Sequence, residues 1–330
     1  MTPTLSIVLP VYNEVAEELD RTLAALGEAL RRSAWHDPEV VIIDDGSDSP
    51  VDARSLDGVR ITVLRQANGG RFEARRAGIV AARGDYVLLL DARVTLEPNA
   101  LRWVQGQVGH GARAWNGHCL MANPHSPYAR FWNVLTYSAF RDYLDDPKTT
   151  SFTLADYDRY PKGTGHFLAP RDWLLDAIAG FESRYRDSRF SSDDTHLLRS
   201  IAARDRIYIS PEFASLYRNR EALTPFIKHA LHRGTTFYDG FARPGARFMP
   251  AVAAAFPLSL GGILLAMRRP GIALLTAAAM SVTGAGFAVV RGRPRDEALS
   301  FGSLVVPFSV AFSAGIWRGA WLAIRARSRT

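Results

Sequence analysis

Cysteine is nearly absent. Cys119 stands alone in 330 residues, which excludes an internal disulfide framework and a cysteine-rich metal site. A single thiol with no base beside it reads as a buried, inert side chain. Lysine is almost as scarce, with Lys148, Lys162 and Lys228 the only three among 40 cationic residues. Acidic residues thin out in the last third. Residues 221–330 hold 13 Lys+Arg against 4 Asp+Glu, whereas residues 1–220 hold 27 against 29. The basic excess flanks apolar runs, which points to anionic lipid headgroups rather than nucleic acid. The stretch ahead of the first apolar run, residues 1–4, is too short for a signal peptide, so the N-terminal half is expected in the cytosol.

What is present begins with Asp85-Tyr86-Val87-Leu88-Leu89-Leu90-Asp91-Ala92-Arg93. Its apolar core reads as a strand buried on both faces, as in the middle of a parallel sheet. The strand delivers Asp91 and Arg93 to its carboxyl end, where open α/β sheets bind ligands. Other strands are expected at residues 5–11, 39–45, 60–64 and 206–209. Helices are expected at 15–32, where Leu19, Leu23, Leu26 and Leu30 recur at helical spacing, and at 72–82, 171–178 and 194–203. An aromatic-rich helix is expected over 127–143. Alternating strands and helices at this spacing argue for a doubly wound α/β domain.

The character changes near residue 245. Residues 248–267 and 271–290 are two 20-residue stretches without a charge, each long enough to cross a bilayer. Residues 301–317 give a third, extended by 319–324 if Arg318 snorkels. Three spans from a cytosolic domain would put Arg268, Arg269, Arg325, Arg327 and Arg329 outside, against the positive-inside tendency. A shallow hairpin for one pair relieves part of that conflict. Between domain and apolar runs, residues 223–241 mix Phe226, Leu231, Phe237 and Tyr238 with Lys228, His232 and Arg233, which suits a helix lying in the membrane interface. The expected organisation is a catalytic domain over 1–220, an amphipathic interface segment over 221–246, and a membrane domain over 247–330 with two to three transmembrane helices.

Polar motifs sit at the strand ends. Pro10-Val11-Tyr12-Asn13-Glu14 follows the first strand, and Asp44-Asp45-Gly46-Ser47-Asp48 ends the second. A carboxylate there can accept from a base N–H or a ribose hydroxyl, or simply cap a turn. Asn68-Gly69-Gly70-Arg71 opens a helix whose N-terminal amides attract phosphate, with Arg71, Arg75 and Arg76 adding cationic reach.

In this order and spacing the motifs resemble the inverting family 2 glycosyltransferases of GT-A (Rossmann-like) fold. The likeness covers residues 4–220 and is strongest over 4–98. It implies a nucleotide-sugar-binding domain followed here by C-terminal transmembrane helices. Asp44 or Asp45 would recognise the base, near Pro10, Tyr12 and Glu14, with Asn68, Gly70 and Arg75 also on the donor side. Asp91 would begin the family's metal-binding Asp-x-Asp, where a divalent cation, Mg²⁺ or Mn²⁺, contacts the diphosphate. Arg93 replaces the second aspartate, and a guanidinium cannot ligate a metal. It can pair with phosphate through parallel N–H bonds, or pair with Asp91 in a weakened site.

Gly163-Thr164-Gly165-His166-Phe167 resembles the family's acceptor-side turn. Phe190-Ser191-Ser192-Asp193-Asp194-Thr195 resembles its Glu-Asp motif, which implies that Asp194 is the catalytic base, with Asp193 beside it. Arg218, Arg220, His232 and Arg233 join Gly165 and His166 on the acceptor or phosphate side. The Gln-x-x-Arg-Trp signature of processive synthases is absent; the nearest string is His229-Ala230-Leu231-His232-Arg233-Gly234. The expected function is transfer of one sugar from a nucleotide-diphosphate donor to a lipid-linked or membrane-adjacent hydroxyl at the cytosolic membrane face. The alternatives are a polyprenyl-phosphate glycosyltransferase and a degenerate, transferase-like membrane scaffold. A nucleotidyltransferase lacks support, because no phosphate-clamping Gly-rich loop with Lys follows the first strand.

Overall fold

The computed structural model describes residues 3–52 and 54–327. Met1, Thr2 and Arg329 lie outside the described residues. The chain begins with β1 (Thr4–Val11), α1 (Ala16–Arg31), β2 (His36–Asp44), β3 (Arg60–Arg65), α2 (Arg71–Ala81) and β4 (Tyr86–Leu90). β1, β2, β3 and β4 pair in parallel in the order β3-β2-β1-β4. All five residues of β4 are buried. Alternate side chains enter opposite cores, Leu88 and Leu90 on the α1 side, Val87 and Leu89 on the α2 side. That is the period-2 consequence of a strand covered on both faces.

The sheet then becomes mixed. It continues through β5 (Val94–Leu96), α3 (Ala100–Gly109), β6 (Trp115–Met121), α4 (Pro127–Ala139), α5 (Arg141–Leu144), β7 (Thr150–Phe152), β8 (His166–Pro170), α6 (Arg171–Ala179), α7 (Asp193–Arg204) and β9 (Ile207–Tyr217). In this part β6 runs parallel to β9 and the other pairings are antiparallel. The nine-stranded order is β3-β2-β1-β4-β8-β6-β9-β5, with β7 also on β9. α1 and α3 cover one face, α2, α6 and α7 the other. Leu19, Leu23, Leu26 and Leu30 are all buried, as their spacing requires.

Three expectations need correction here. The helix over 127–143 is broken at Phe140 into α4 and α5. The late strand extends past Ile209 to Tyr217 because the register slips between Gly117 and His118, and this bulge accommodates Pro211. Cys119 is exposed, not buried.

Beyond the sheet come α8 (Leu223–Phe241), α9 (Met249–Arg268), α10 (Pro270–Val290) and α11 (Arg295–Arg327). The last three are each long and apolar enough to cross a membrane. α9 and α10 expose Leu258, Met267, Leu274, Leu275, Val282 and Val290, an apolar surface that water disfavours. α11 is the third of these helices and is longer than the expected 17-residue run. Its 33 residues, about 50 Å at 1.5 Å per residue, pack on α8, α10 and α4 while Leu299, Val310, Trp317, Trp321 and Ile324 stay exposed. Arg130 pairs with Asp296 at 3.0 Å, Phe131 stacks on Phe301, and Arg186 donates to the Ala326 carbonyl at 3.1 Å. The Arg318 guanidinium lies 4.1 Å from the Phe190 ring centroid.

α8 and α11 meet backbone to backbone. A Cβ on Gly234 would collide with the Phe312 carbonyl, and one on Gly315 with the Leu231 carbonyl. Close crossings of this kind need small residues on both helices. α8 is therefore held between α11 and the domain, and two of its polar side chains, His229 and His232, face a cleft.

Candidate active site

The carboxyl ends of β1, β2 and β4 open into a cleft of about 410 Å³. Pro10, Tyr12, Glu14, Asp45, Asn68, Gly70, Asp91, Arg93, Arg220 and His232 line it, all of them anticipated. Arg71, Ala74, Arg189, Tyr217 and His229 line it as well. This is the crevice outside the strand tips that a parallel sheet offers.

Asp44 and Asp45 divide their work. Asp44 is buried and does not reach the cleft. It accepts from the Ser47 amide at 2.9 Å, the Val51 amide at 3.2 Å and Arg65 at 2.9 Å. Burial would raise its pKa, and these donors bring it below the usual carboxylate range. Asp44 thus shapes the turn and is no base reader. Asp45 accepts from the Gly69 and Gly70 amides at 2.9 and 2.8 Å and from Gln66 at 2.7 Å. The Gly69 and Gly70 amides, just ahead of α2, are thus taken by this side chain. Gly70 sits at φ 85°, and a Cβ there would meet the Arg189 backbone, so glycine is required twice over.

Arg75 is the unexpected centre. It is 1% exposed, and its guanidinium contacts Asp193, reaches Asp91 at 2.6 Å and stands 3.5 Å from Asp194. Motifs far apart in sequence thus meet on one cation. Burial would lower the Arg75 pKa, but the three carboxylates raise it, so it stays charged. Asp193 is buried and pushed up by desolvation and by its neighbour Asp194. Burial acts on Asp194 too, yet Arg75, Arg71, Arg233 and the Thr164 hydroxyl hold it well below the usual range. The pair therefore splits into one carboxylate held low and one carboxyl of raised pKa.

Gly165 lies against Asp91. Its carbonyl accepts from the Asp91 amide at 2.9 Å, and a Cβ on it would fall 2.7 Å from Asp91 Oδ2. His166 is a correction. It is buried in the sheet, bonded to Ser215 at 2.9 Å and packed on Phe213, and burial pushes its pKa down to about 3. Strand alternation turns it away from the site that its neighbour touches. Arg218 is another, because it pairs with Glu221 at 2.7 Å and Glu18 at 3.4 Å outside the cleft. His232 meets Arg71 at 3.2 Å and is held neutral, with a pKa of about 3, by burial and surrounding arginines.

Arg93 does not pair with Asp91. It makes a bidentate bond to Glu14, Nε at 2.7 Å and Nη2 at 2.6 Å. A divalent cation held by the protein needs several hard oxygens. Asp91 already shares one oxygen with Arg75, the position two residues on is a guanidinium, and the described residues contain no group of three metal-capable side chains. This donor set does not fit a protein-held metal.

One residue had no motif to announce it. Asp239 is buried on α8, and accepts from the Arg184 and Ser192 amides, each at 2.8 Å. It fixes the turn entering α7, and so the positions of Asp193 and Asp194. Its signal was its isolation as the one acid in α8.

Residues 6–130 match the model of Glycosyl transferase family 2. Over 113 residues the chain is 28% identical to Glycosyltransferase GlyG of Streptococcus pneumoniae, covering 33% of this chain and 36% of the relative. It is 36% identical over 106 residues to the undecaprenyl-phosphate 4-deoxy-4-formamido-L-arabinose transferase of Pseudomonas fluorescens, covering 29% and 30%. A dolichyl-phosphate beta-glucosyltransferase of Dictyostelium discoideum is 32% identical over 99 residues, covering 27% and 30%. The matches thus span about a third of these curated relatives' length. Among solved structures, the mannosyltransferase PcManGT from Pyrobaculum calidifontis, in complex with GDP-Man and Mn²⁺, aligns with a TM-score of 0.52. That likeness covers 97% of this chain and 88% of the other at 17% identity, and it bears on the fold alone.

Proposed function

We propose, from the match of residues 6–130 to the Glycosyl transferase family 2 model, that the protein is an inverting glycosyltransferase. It moves a sugar from a nucleotide-diphosphate donor to a lipid-linked or membrane-adjacent hydroxyl. The observation that carries this is the convergence of Asp91, Asp193 and Asp194 on Arg75 beside a cleft sized for a ligand.

In this reading the nucleotide lies along Pro10, Tyr12, Asp45 and Asn68, and Asp91 marks the sugar end. The acceptor oxygen attacks C1 from the face opposite the diphosphate. Its proton passes to Asp194 as the new C1–O bond forms and the bond to phosphate breaks. The nucleoside diphosphate leaves with the electron pair. Arg71, Arg93 and Arg220 line the cleft and meet the charge that develops there. Arg93 Nη1 remains for phosphate after Glu14 has taken Nε and Nη2. An anionic diphosphate beside Arg71 also offsets part of the cationic field on Asp194, so the base strengthens once donor is bound.

Asp194→Asn is expected to abolish transfer while sparing donor binding by calorimetry; near-wild-type turnover would remove it as the base. Turnover is expected to survive saturating chelator, and complete loss restored by Mg²⁺ or Mn²⁺ would count against the guanidinium reading. A polyprenyl-phosphate acceptor is the second reading, favoured by the relatives named for such substrates. A product assay with polyprenyl phosphate against a hydroxyl-bearing glycolipid separates the two. Donor binding without any transfer or hydrolysis would favour a degenerate scaffold. The membrane reading that fits α11's docking is a hairpin of α9 and α10, with α11 returning to the domain on the cytosolic side.

A further inference from the structure

A second cluster of cations, none of which lines the cleft, lies close to Asp194. Tyr157 is buried at its centre, its hydroxyl 3.3 Å from the Thr195 carbonyl at the start of α7. Lys162 Nζ stands 4.2 Å from the Tyr157 ring centroid, and the Arg199 guanidinium stands 5.0 Å from it. Arg247 donates to the backbone carbonyls of Asp158 at 2.6 Å and Ala139 at 3.1 Å. Arg243 feels the charge of Arg199, Asp158 and Tyr157.

None of these four cations makes an ion pair with a carboxylate among the described residues, although arginines elsewhere in the domain do so repeatedly. One neighbouring acid is Asp158, whose buried Oδ1 has no hydrogen-bond partner. The four cations outnumber the nearby carboxylates, Asp158 and Asp194, and leave a local excess of positive charge. Burial and mutual repulsion show in the titration, with Lys162 pushed down to about 8 and Arg243 also lowered. Like charges that outnumber their counter-charges are a strain that a bound anion relieves.

The position says which anion. Lys162 precedes Gly163, where a Cβ would lie 3.8 Å from Asp194 Oδ2, so the cluster adjoins the proposed base. Arg243 and Arg247 occupy the link between α8 and α9, the first helix of membrane length. Phe237, Phe241 and Phe248 pack together there, and Arg247 lies 5.2 Å from the Phe248 ring centroid. Cations over aromatics at the foot of an apolar helix stand at headgroup depth. Guanidinium groups match phosphate oxygens in pairs.

We infer that Lys162, Arg199, Arg243 and Arg247 form a binding site for a lipid phosphate, at the membrane rim beside Asp194. The inference deepens the transferase reading by giving its acceptor a phosphate-bearing lipid. The same chemistry is offered by the acceptor and by bulk anionic phospholipid.

The test titrates the full chain in detergent with farnesyl phosphate, farnesol and dihexanoyl phosphatidylglycerol, following tryptophan fluorescence. Farnesyl phosphate is expected to bind at least about tenfold more tightly than farnesol, the worth of one charge-assisted hydrogen bond. The double variant Arg199→Gln with Arg243→Gln should erase that preference, and Arg199→Lys with Arg243→Lys should keep most of it. Phosphatidylglycerol binding as tightly as farnesyl phosphate supports the site and assigns its phosphate to bulk lipid; weaker binding assigns it to the acceptor. Equal affinity for farnesol and farnesyl phosphate, or a preference untouched in the Gln variant, overturns the inference. Because this readout is binding, it stands apart from a failure to detect sugar transfer.

Discussion

Arg75 gathers three carboxylates on one buried guanidinium, and the site depends on it twice. Replacing it with Met leaves Asp91, Asp193 and Asp194 facing one another, which costs about 3–5 kcal/mol for a broken buried pair. The loss has a pH signature. Without the guanidinium the carboxylates acquire folded pKa values above their unfolded ones, so the variant is least stable at neutral pH. It regains stability as pH falls through the raised pKa toward the ordinary range. In the wild type Asp194 is held low, so its stabilisation is present at neutral pH and lost on acidification. The gap in melting temperature between the two proteins should therefore narrow from pH 8 to pH 4; a constant gap would refute the charge argument. Gly165→Ala is subtler. Its methyl would press on Asp91 Oδ2, so donor KM should rise about tenfold as Asp91 is displaced, and stability should fall by roughly 1–2 kcal/mol of overpacking. At this scale the sequence disclosed the identity of most cleft residues through the strand-end motifs. It could not disclose their partners. Glu14 lies 79 positions from Arg93 and Asp193 lies 118 from Arg75, and only the folded sheet brings them together. His166 misled because the motif marks the turn, whereas strand alternation decides which side chain faces the site.

Among the elements, those with strong periodicity were legible and the short ones were not. β1, β4, α1, α2 and α7 follow from unbroken apolar runs or helical spacing. β5 and β7 have three residues each, too few for an alternation to register. β6 carries Asn116, Gly117 and His118 in its middle, and no propensity favours them in a strand. α8 was legible as a helix, but not as a wall of the cleft. Its contact with α11 rests on Gly234 and Gly315. Gly234→Val should separate the helices and lower stability by about 1–3 kcal/mol through overpacking. The separation would also withdraw His232 from Arg71, so donor affinity should fall alongside melting temperature. Unchanged donor affinity at lowered stability would show that α8 merely covers the cleft.

For the whole molecule, the division between a charge-balanced α/β domain and a basic, apolar C-terminal part was plain from composition. The path of α11 was not, because hydropathy reports that a helix is apolar and not what covers it. Its most apolar window is 39% buried, against 6% and 11% for α9 and α10. With α9 and α10 forming a hairpin and α11 against the domain, tags placed after residue 327 and at the N-terminus should be reachable from the same side of sealed vesicles. Protection of one tag alone would restore three spans.

The direct backbone contact between α8 and α11 has a mechanical consequence. α8 lends two histidines to the cleft, and α11 also packs along α10, whose far face is apolar and exposed. With α9 and α10 seated in lipid, a tilt forced on them by a thinner or thicker bilayer is handed through α11 to the cleft wall with no soft linker between. Bilayer thickness then acts on the protein as an effector with no binding pocket of its own, and turnover in vesicles of graded acyl-chain length should pass through a maximum.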